Sequence, residues 1–108
     1  MEKAPRSEHI VCAAIHYQNG MKCEHQPTNI KSGIVVAGLR HTHCLMTLYF
    51  LLGDAYDVKL AGPQNQGFIT STNRFVYRKE ALTIATKRNQ LICQPHNPRI
   101  GLFSEDLF

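Results

Sequence analysis

The sequence predicts an α+β fold: an N-terminal antiparallel sheet with helices packed on it, in one small domain spanning residues 1–108. Three observations carry this reading. Residues 9–17 and 33–39 are strand-length runs rich in β-branched and small apolar residues. Residues 66–70 alternate polar and apolar side chains, as a half-buried strand does. From Arg78 the apolar period lengthens, so that Ala81, Leu82, Ala85 and Ile84 gather on one helical face. A chain of 108 residues reads as one domain, large enough for a core but modest in the surface it can bury.

Residues 1–7 are polar and are expected to fray. Asn19-Gly20, after the first apolar run, is a strong short hairpin signal, and it predicts a returning strand over residues 21–24. Pro27 breaks that pattern, and residues 33–39 then read as a buried strand. Thr42 is placed to cap a helix whose apolar stripe is Cys44, Leu45, Leu48, Tyr49 and Leu52, with Gly53 as its stop. This stripe makes most of the helix core. Residues 54–65 form a polar connection. Ser71-Thr72-Asn73 is a turn in which Asn73 suits the left-handed conformation, and residues 74–76 return as a short extended piece. Pro95 and Pro98 stop any further helix, leaving an apolar ending with Leu102, Phe103, Leu107 and Phe108. Such an ending either folds back on its own domain or docks on a neighbour, and the second option favours a homo-oligomer.

Composition limits the function classes. Twelve basic against eight acidic residues give a net charge of +4, which suits small polyanions such as nucleotides but is too weak for duplex nucleic acid. No apolar run is long enough for a membrane span, and residues 1–6 lack a signal-peptide core, so an intracellular protein is expected. Cys12, Cys23, Cys44 and Cys93 make no Cys-x-x-Cys pair, and His41 and His43 beside Cys44 find no second cluster, so no metal site is expected. No cofactor is expected either. Phosphate loops, nucleophile elbows and zinc-protease helices are missing from the sequence. A binding protein is favoured over an enzyme. A Cys44 or His41 nucleotide-processing site remains the catalytic alternative.

Two strand-to-helix corners stand out. Arg40 and His41 sit at one, and Asn73, Arg74 and Arg78 at the other, where helix N-termini and guanidiniums attract anions. The other reading of each corner is a solvated junction whose arginines face water. In the first reading the guanidiniums and the Asn73 amide make an anion or nucleotide site.

The strings Gln66-Gly67-Phe68-Ile69-Thr70, Asn73-Arg74-Phe75-Val76, Arg78-Lys79-Glu80-Ala81 and Ile84-Ala85 resemble small phage proteins of the Thoeris anti-defence (type one) family. So do Gly38-Leu39-Arg40-His41 opening a helix, Ala13-Ala14-Ile15 in the N-terminal hairpin, and the ending Leu102-Phe103-Ser104-Glu105-Asp106-Leu107. The resemblance implies a sponge in the cytoplasm of an infected bacterial host. It would bind a cyclic ADP-ribose isomer, the Thoeris immune signal, without cleaving it. For that ligand Arg40, Arg74 and Arg78 would hold the pyrophosphate, Phe68, Phe75 or Tyr17 would stack on the base, and Asn73 or Gln66 would read its edge or a ribose hydroxyl. It also implies a sheet followed by helices, dimers assembled into hexamers, and further sites for cyclic di- or trinucleotides between subunits. Tyr77 departs from the pattern, standing where an aspartate would cap the last helix, which puts the start of that helix in question. A protein-directed inhibitor of a bacterial defence system, acting through the apolar ending, is the alternative from another class. On the sponge reading, Arg40→Ala or Arg74→Ala abolishes capture, and deletion of residues 102–108 weakens assembly.

Overall fold

The computed structural model describes residues 7–108; the fraying expected of the N-terminus lies, save for Ser7, outside the described residues. β1 (Ile10–Tyr17), β2 (Ile34–Gly38), α1 (His41–Leu52), β3 (Gln66–Thr70), β4 (Phe75–Tyr77) and α2 (Arg78–Lys87) follow in that order. The four strands form one antiparallel sheet in the spatial order β2-β1-β3-β4. The α+β expectation therefore holds, and so does its antiparallel sheet.

The hairpin does not form as the Asn-Gly signal predicts. Gly20 turns the chain at φ 80°, but residues 21–24 make no strand, and β1 pairs instead with β2 from Ala13↔Gly38 to Tyr17↔Ile34. The physical reason is the competition for one sheet edge. Residues 21–24 carry Met21, itself 58% exposed, among charged neighbours, whereas Ile34, Val35 and Val36 bring β-branched side chains that pack on a pleated face. β2 is an edge strand of intermediate burial rather than the buried strand expected.

Register puts both helices on one face. Ala13, Ile15 and Tyr17 point the same way along β1, and Ala13 lies opposite Phe68, which lies opposite Val76. On this face α2 and the C-terminal segment close a core of Ile10, Ala13, Phe68, Val76, Ala81, Ala85, Leu102 and Leu107. Beside it α1 closes a second core of Ile15, Tyr17, Cys44, Leu48 and Ala61. The apolar ending thus folds back on its own domain, with Leu102 and Leu107 buried, and is not a free docking segment.

Arg40 rather than Thr42 stands at the N-cap of α1; its side chain makes no cap bond, its main-chain N–H donating to His43 Nδ1 at 3.3 Å, and the helix ends at Gly53 as expected, with φ 54°. Only His41, Cys44 and Leu48 are buried along it. Leu45 and Leu52 flank the core, while Met46, Tyr49, Phe50 and Leu51 are exposed. Less of this helix is core than its apolar stripe suggested. Residues 53–65 wind through three short 3-10 turns, and Asn73 takes the left-handed conformation at φ 63°. α2 starts at Arg78 although Tyr77, its N-cap, supplies no side-chain cap.

Two glycines are required by close approach. A Cβ on Gly67 would lie 2.2 Å from the Val76 carbonyl oxygen, across the β3–β4 pair. Gly101, at φ 130°, lets the C-terminal segment run against the main chain of Arg78, where a Cβ would come within 2.3 Å.

Candidate functional site

The register brings the two strand-to-helix corners to one level of the sheet. Gly38, at the end of β2, pairs with Ala13, and Tyr77, at the end of β4, pairs with Gly67, the partner of Ala14. α1 and α2 therefore begin from opposite sheet edges at the same height. Between their first turns lies a cleft of about 400 Å³ lined by Arg40, His41, Thr42, Arg78, Phe103 and Glu105.

Arg78 is the centre of this cleft. Its guanidinium donates to the Leu102 carbonyl at 2.8 Å and to Gln66 Oε1 at 2.7 Å, and it lies 4.3 Å from the centre of the Phe103 ring. All three partners are neutral. Among the described residues no carboxylate pairs with Arg78. Burial lowers its pKa, opposed through space by Glu105 and then Asp106, but a guanidinium stays charged at any physiological pH. A partly buried cation without a direct counter-ion is electrostatically costly, and a bound anion would relieve that cost.

Arg40 faces it from the other corner. Its Nη2 donates to the main-chain oxygen of Phe108 at 2.6 Å, and its Nη1 lies 3.5 Å from Glu105 Oε1. The Glu105 carboxyl is held below its usual range, first by the Ser104 hydroxyl, with Arg40 contributing. Across the cleft the two guanidiniums share one side-chain carboxylate, that of Glu105, and only Arg40 contacts it directly. The amides that open α1, at His41 and Thr42, add the positive end of a helix dipole.

His41 is wall rather than reagent. It is 8% exposed, meets the edge of Phe68 at 5.0 Å between ring centres, and places Nε2 2.8 Å from the Gly67 carbonyl oxygen. Burial first, then the Arg78 charge, pushes its pKa down to about 4. At neutral pH it is uncharged and donates its Nε2 proton to that carbonyl. Cys44 is fully buried, and burial pushes its thiol up to about 12. A thiol in that state is a poor nucleophile.

The expected ligand residues divide into three groups. Arg40, His41 and Arg78 meet in the cleft, and Gln66 holds Arg78 from behind. Arg74 is elsewhere: Glu8 takes it bidentately at 2.9 and 2.8 Å, and Glu80 adds a third bond at 2.9 Å. Asn73 sits at that second corner, its carbonyl accepting from Thr28. The convergence of Asn73, Arg74 and Arg78 drawn from the sequence does not occur, because Arg74 and Arg78 serve separate partner sets. Phe68, Phe75 and Tyr17, at 0%, 3% and 2% exposure, have no free face on which a base could stack.

One flat surface was missed. A second hollow of about 230 Å³ shares Arg78 with the first and is lined also by Gln66, Tyr77, Lys79 and Ile100. Tyr77 is 45% exposed there. Its place at the last position of β4, out of phase with buried Val76, was the available sequence signal. Arg78 thus stands between a cationic hollow and an aromatic one.

Together the sheet, its two helices on one face and this double hollow define a small α+β domain with an arginine-lined cleft at the meeting of two helix N-termini. The model of one family, Phage T4 y16D protein, matches residues 9–108, and the chain belongs to that family. No curated protein and no solved structure matches it. Among the described residues no helix is long and apolar enough to cross a membrane.

Proposed function

We propose that this phage protein is an anti-defence sponge. It takes up a small phosphate-bearing nucleotide signal, a cyclic ADP-ribose isomer, and holds it unchanged. The observation that carries the reading is Arg78, a desolvated cation with only neutral direct partners, set across a cleft from Arg40. A pyrophosphate in the first hollow would supply the missing counter-charge, bridging the two guanidiniums with charge-assisted hydrogen bonds. A base in the second hollow would lie on Tyr77, a contact worth about 1–3 kcal/mol. Neutral, hydrogen-bonded His41 and protonated Cys44 support retention over turnover. Sequestration then follows from mass action: with the sponge in excess at nanomolar affinity, about 12 kcal/mol, little free signal remains.

A homo-oligomer, dimer-based and built up to a hexamer, and cyclic di- or trinucleotide sites between subunits belong to the same proposal. The exposed Met46, Phe50 and Leu51 of α1 support such an assembly, in place of the C-terminal segment. The same apolar face favours the second reading, an inhibitor that docks directly on a bacterial defence protein.

The test is recovery of the ligand. The protein is incubated with the cyclic signal, separated from unbound material, heated, and the supernatant is analysed by mass spectrometry. Intact signal returned by the natural chain and lost in Arg78→Ala supports the sponge. A released product instead of the signal would assign an enzyme, and an undepleted signal would assign the protein-directed inhibitor.

A further inference from the structure

Outside the cleft, Cys93, His96 and Asp106 bring a sulfur, a ring nitrogen and a carboxylate oxygen within 4.8 Å of one another. All three atoms converge on one point. Asp106 Oδ1 accepts the His96 main-chain N–H at 3.1 Å, contacts His96 Nδ1, and lies 4.0 Å from the Cys93 sulfur. The Asp106 side chain is fully buried, whereas Cys93 and His96 are exposed. We propose that these three residues bind a divalent metal of the zinc class, with a fourth position open to solvent.

The donor set argues for this class. A thiolate, a neutral imidazole and a carboxylate are ligands zinc accepts together, and their two negative charges match a dication. Zinc–ligand bonds of about 2.0–2.3 Å in a tetrahedron set the donor atoms roughly 3.3–3.7 Å apart. The observed spread is within about 1 Å of that, and the two exposed side chains are the ones free to adjust. Asp106 is already oriented as a ligand should be. Its second oxygen, Oδ2, accepts the Phe103 main-chain N–H at 2.9 Å, the kind of outer contact that fixes a metal-bound carboxylate.

The chain around the cluster is also constrained. Residues 91–101 contain no helix or strand, but a bridge between Asn97 and Gly101 closes part of the loop. Ile92 N–H donates to the Asp106 carbonyl at 2.9 Å, tying the loop to the segment that bears the carboxylate. Pro95, between the two exposed ligands, restricts the backbone that separates them. The Cys93-x-x-His96 spacing was visible in the sequence. That spacing alone does not signal a site, because the third member comes ten residues later and the first two form no cysteine pair. A bound metal would clamp this loop to the C-terminal segment.

The test uses the full chain, stripped by a chelator, with Zn2+ alone as the titrant in calorimetry and Co2+ as an optical substitute. The expected result is one Zn2+ per chain, a higher melting temperature with Zn2+, and a thiolate-to-cobalt charge-transfer band. Cys93→Ser and His96→Ala, both changes at exposed positions, should each weaken Zn2+ binding by at least about 100-fold, the upper end of what outer-shell changes cost. Cys23→Ser, at another exposed cysteine, should leave affinity and band intact. The proposal is overturned if Zn2+ binding is no stronger than in Cys93→Ser. It is equally overturned if the cobalt band survives Cys93→Ser, or if Cys23→Ser abolishes it.

Discussion

Replacing Glu8 by Gln tests whether the second arginine corner is structural. The Glu8 carboxylate accepts two bonds from Arg74, a third from Thr70 at 2.6 Å and another from Thr72. The Arg74 hydrogen bonds, opposed by burial and helped by the two threonines, pull its pKa from 4.5 to about 2. At about 1.4 kcal/mol per pH unit this depression would correspond to roughly 3 kcal/mol if unscreened. The side chains are 34% and 21% exposed, so water screening reduces the expected loss to about 1–2 kcal/mol. The carboxylate's folded pKa is depressed, so its contribution is fully present above pH 4.5 and fades as pH falls towards 2. Urea unfolding of the natural chain and Glu8→Gln at pH 7, 4 and 3 should therefore show a gap at pH 7 that narrows with acid. In parallel, Arg74→Gln should lower stability by a similar amount while each folded molecule still captures the cyclic signal. Equal stability at pH 7, or a gap unchanged at pH 3, would refute the ion-pair account. Loss of capture in well-folded Arg74→Gln would return Arg74 to the ligand site.

Three further outcomes are expected. His41 is kept neutral by burial while an unfolded chain protonates near 6.5, so stability should fall as pH drops from 6.5 to about 4, by roughly 2–3 kcal/mol; His41→Gln should flatten that slope in a pH series of thermal melts. Gly67→Ala forces a methyl group against the Val76 carbonyl and should cost about 1–3 kcal/mol or more, read as a lower urea midpoint. In the metal-free native chain Ellman's reagent should titrate exposed Cys23 and Cys93 promptly and reach Cys44 only after unfolding, which mass mapping of the labelled peptides would check.

Residues 66–87 were readable because their signals are local. Alternation, an asparagine in a left-handed turn and the change of period at Arg78 all act within a few neighbours. Strand pairing was not readable from Asn19-Gly20, since which strand fills the β1 edge depends on how well β2, more than ten residues on, packs there. The site shows the same division. Both helix-opening corners could be found in sequence, but the fate of each arginine rests on distant residues. Glu8, 66 positions away, claims Arg74. Leu102 and Phe103, arriving 24 and 25 positions later, receive Arg78. Even the role of the apolar ending turned on the bulk missing at Gly101, which lets it lie against α2.

That late segment has a consequence for how the protein comes into being. Arg78 and Leu102 exchange main-chain and side-chain bonds, N–H of Leu102 to the Arg78 carbonyl and guanidinium to the Leu102 carbonyl. One wall of the cleft is thus made of residues that leave the ribosome well after the sheet and both helices. A nascent chain carrying all its strands still lacks that wall, and on the proposed reading capture can begin only after Phe103 and Glu105 have been made and have folded back. A protease that clips this stretch would remove one wall of the cleft and open the core in a single cut.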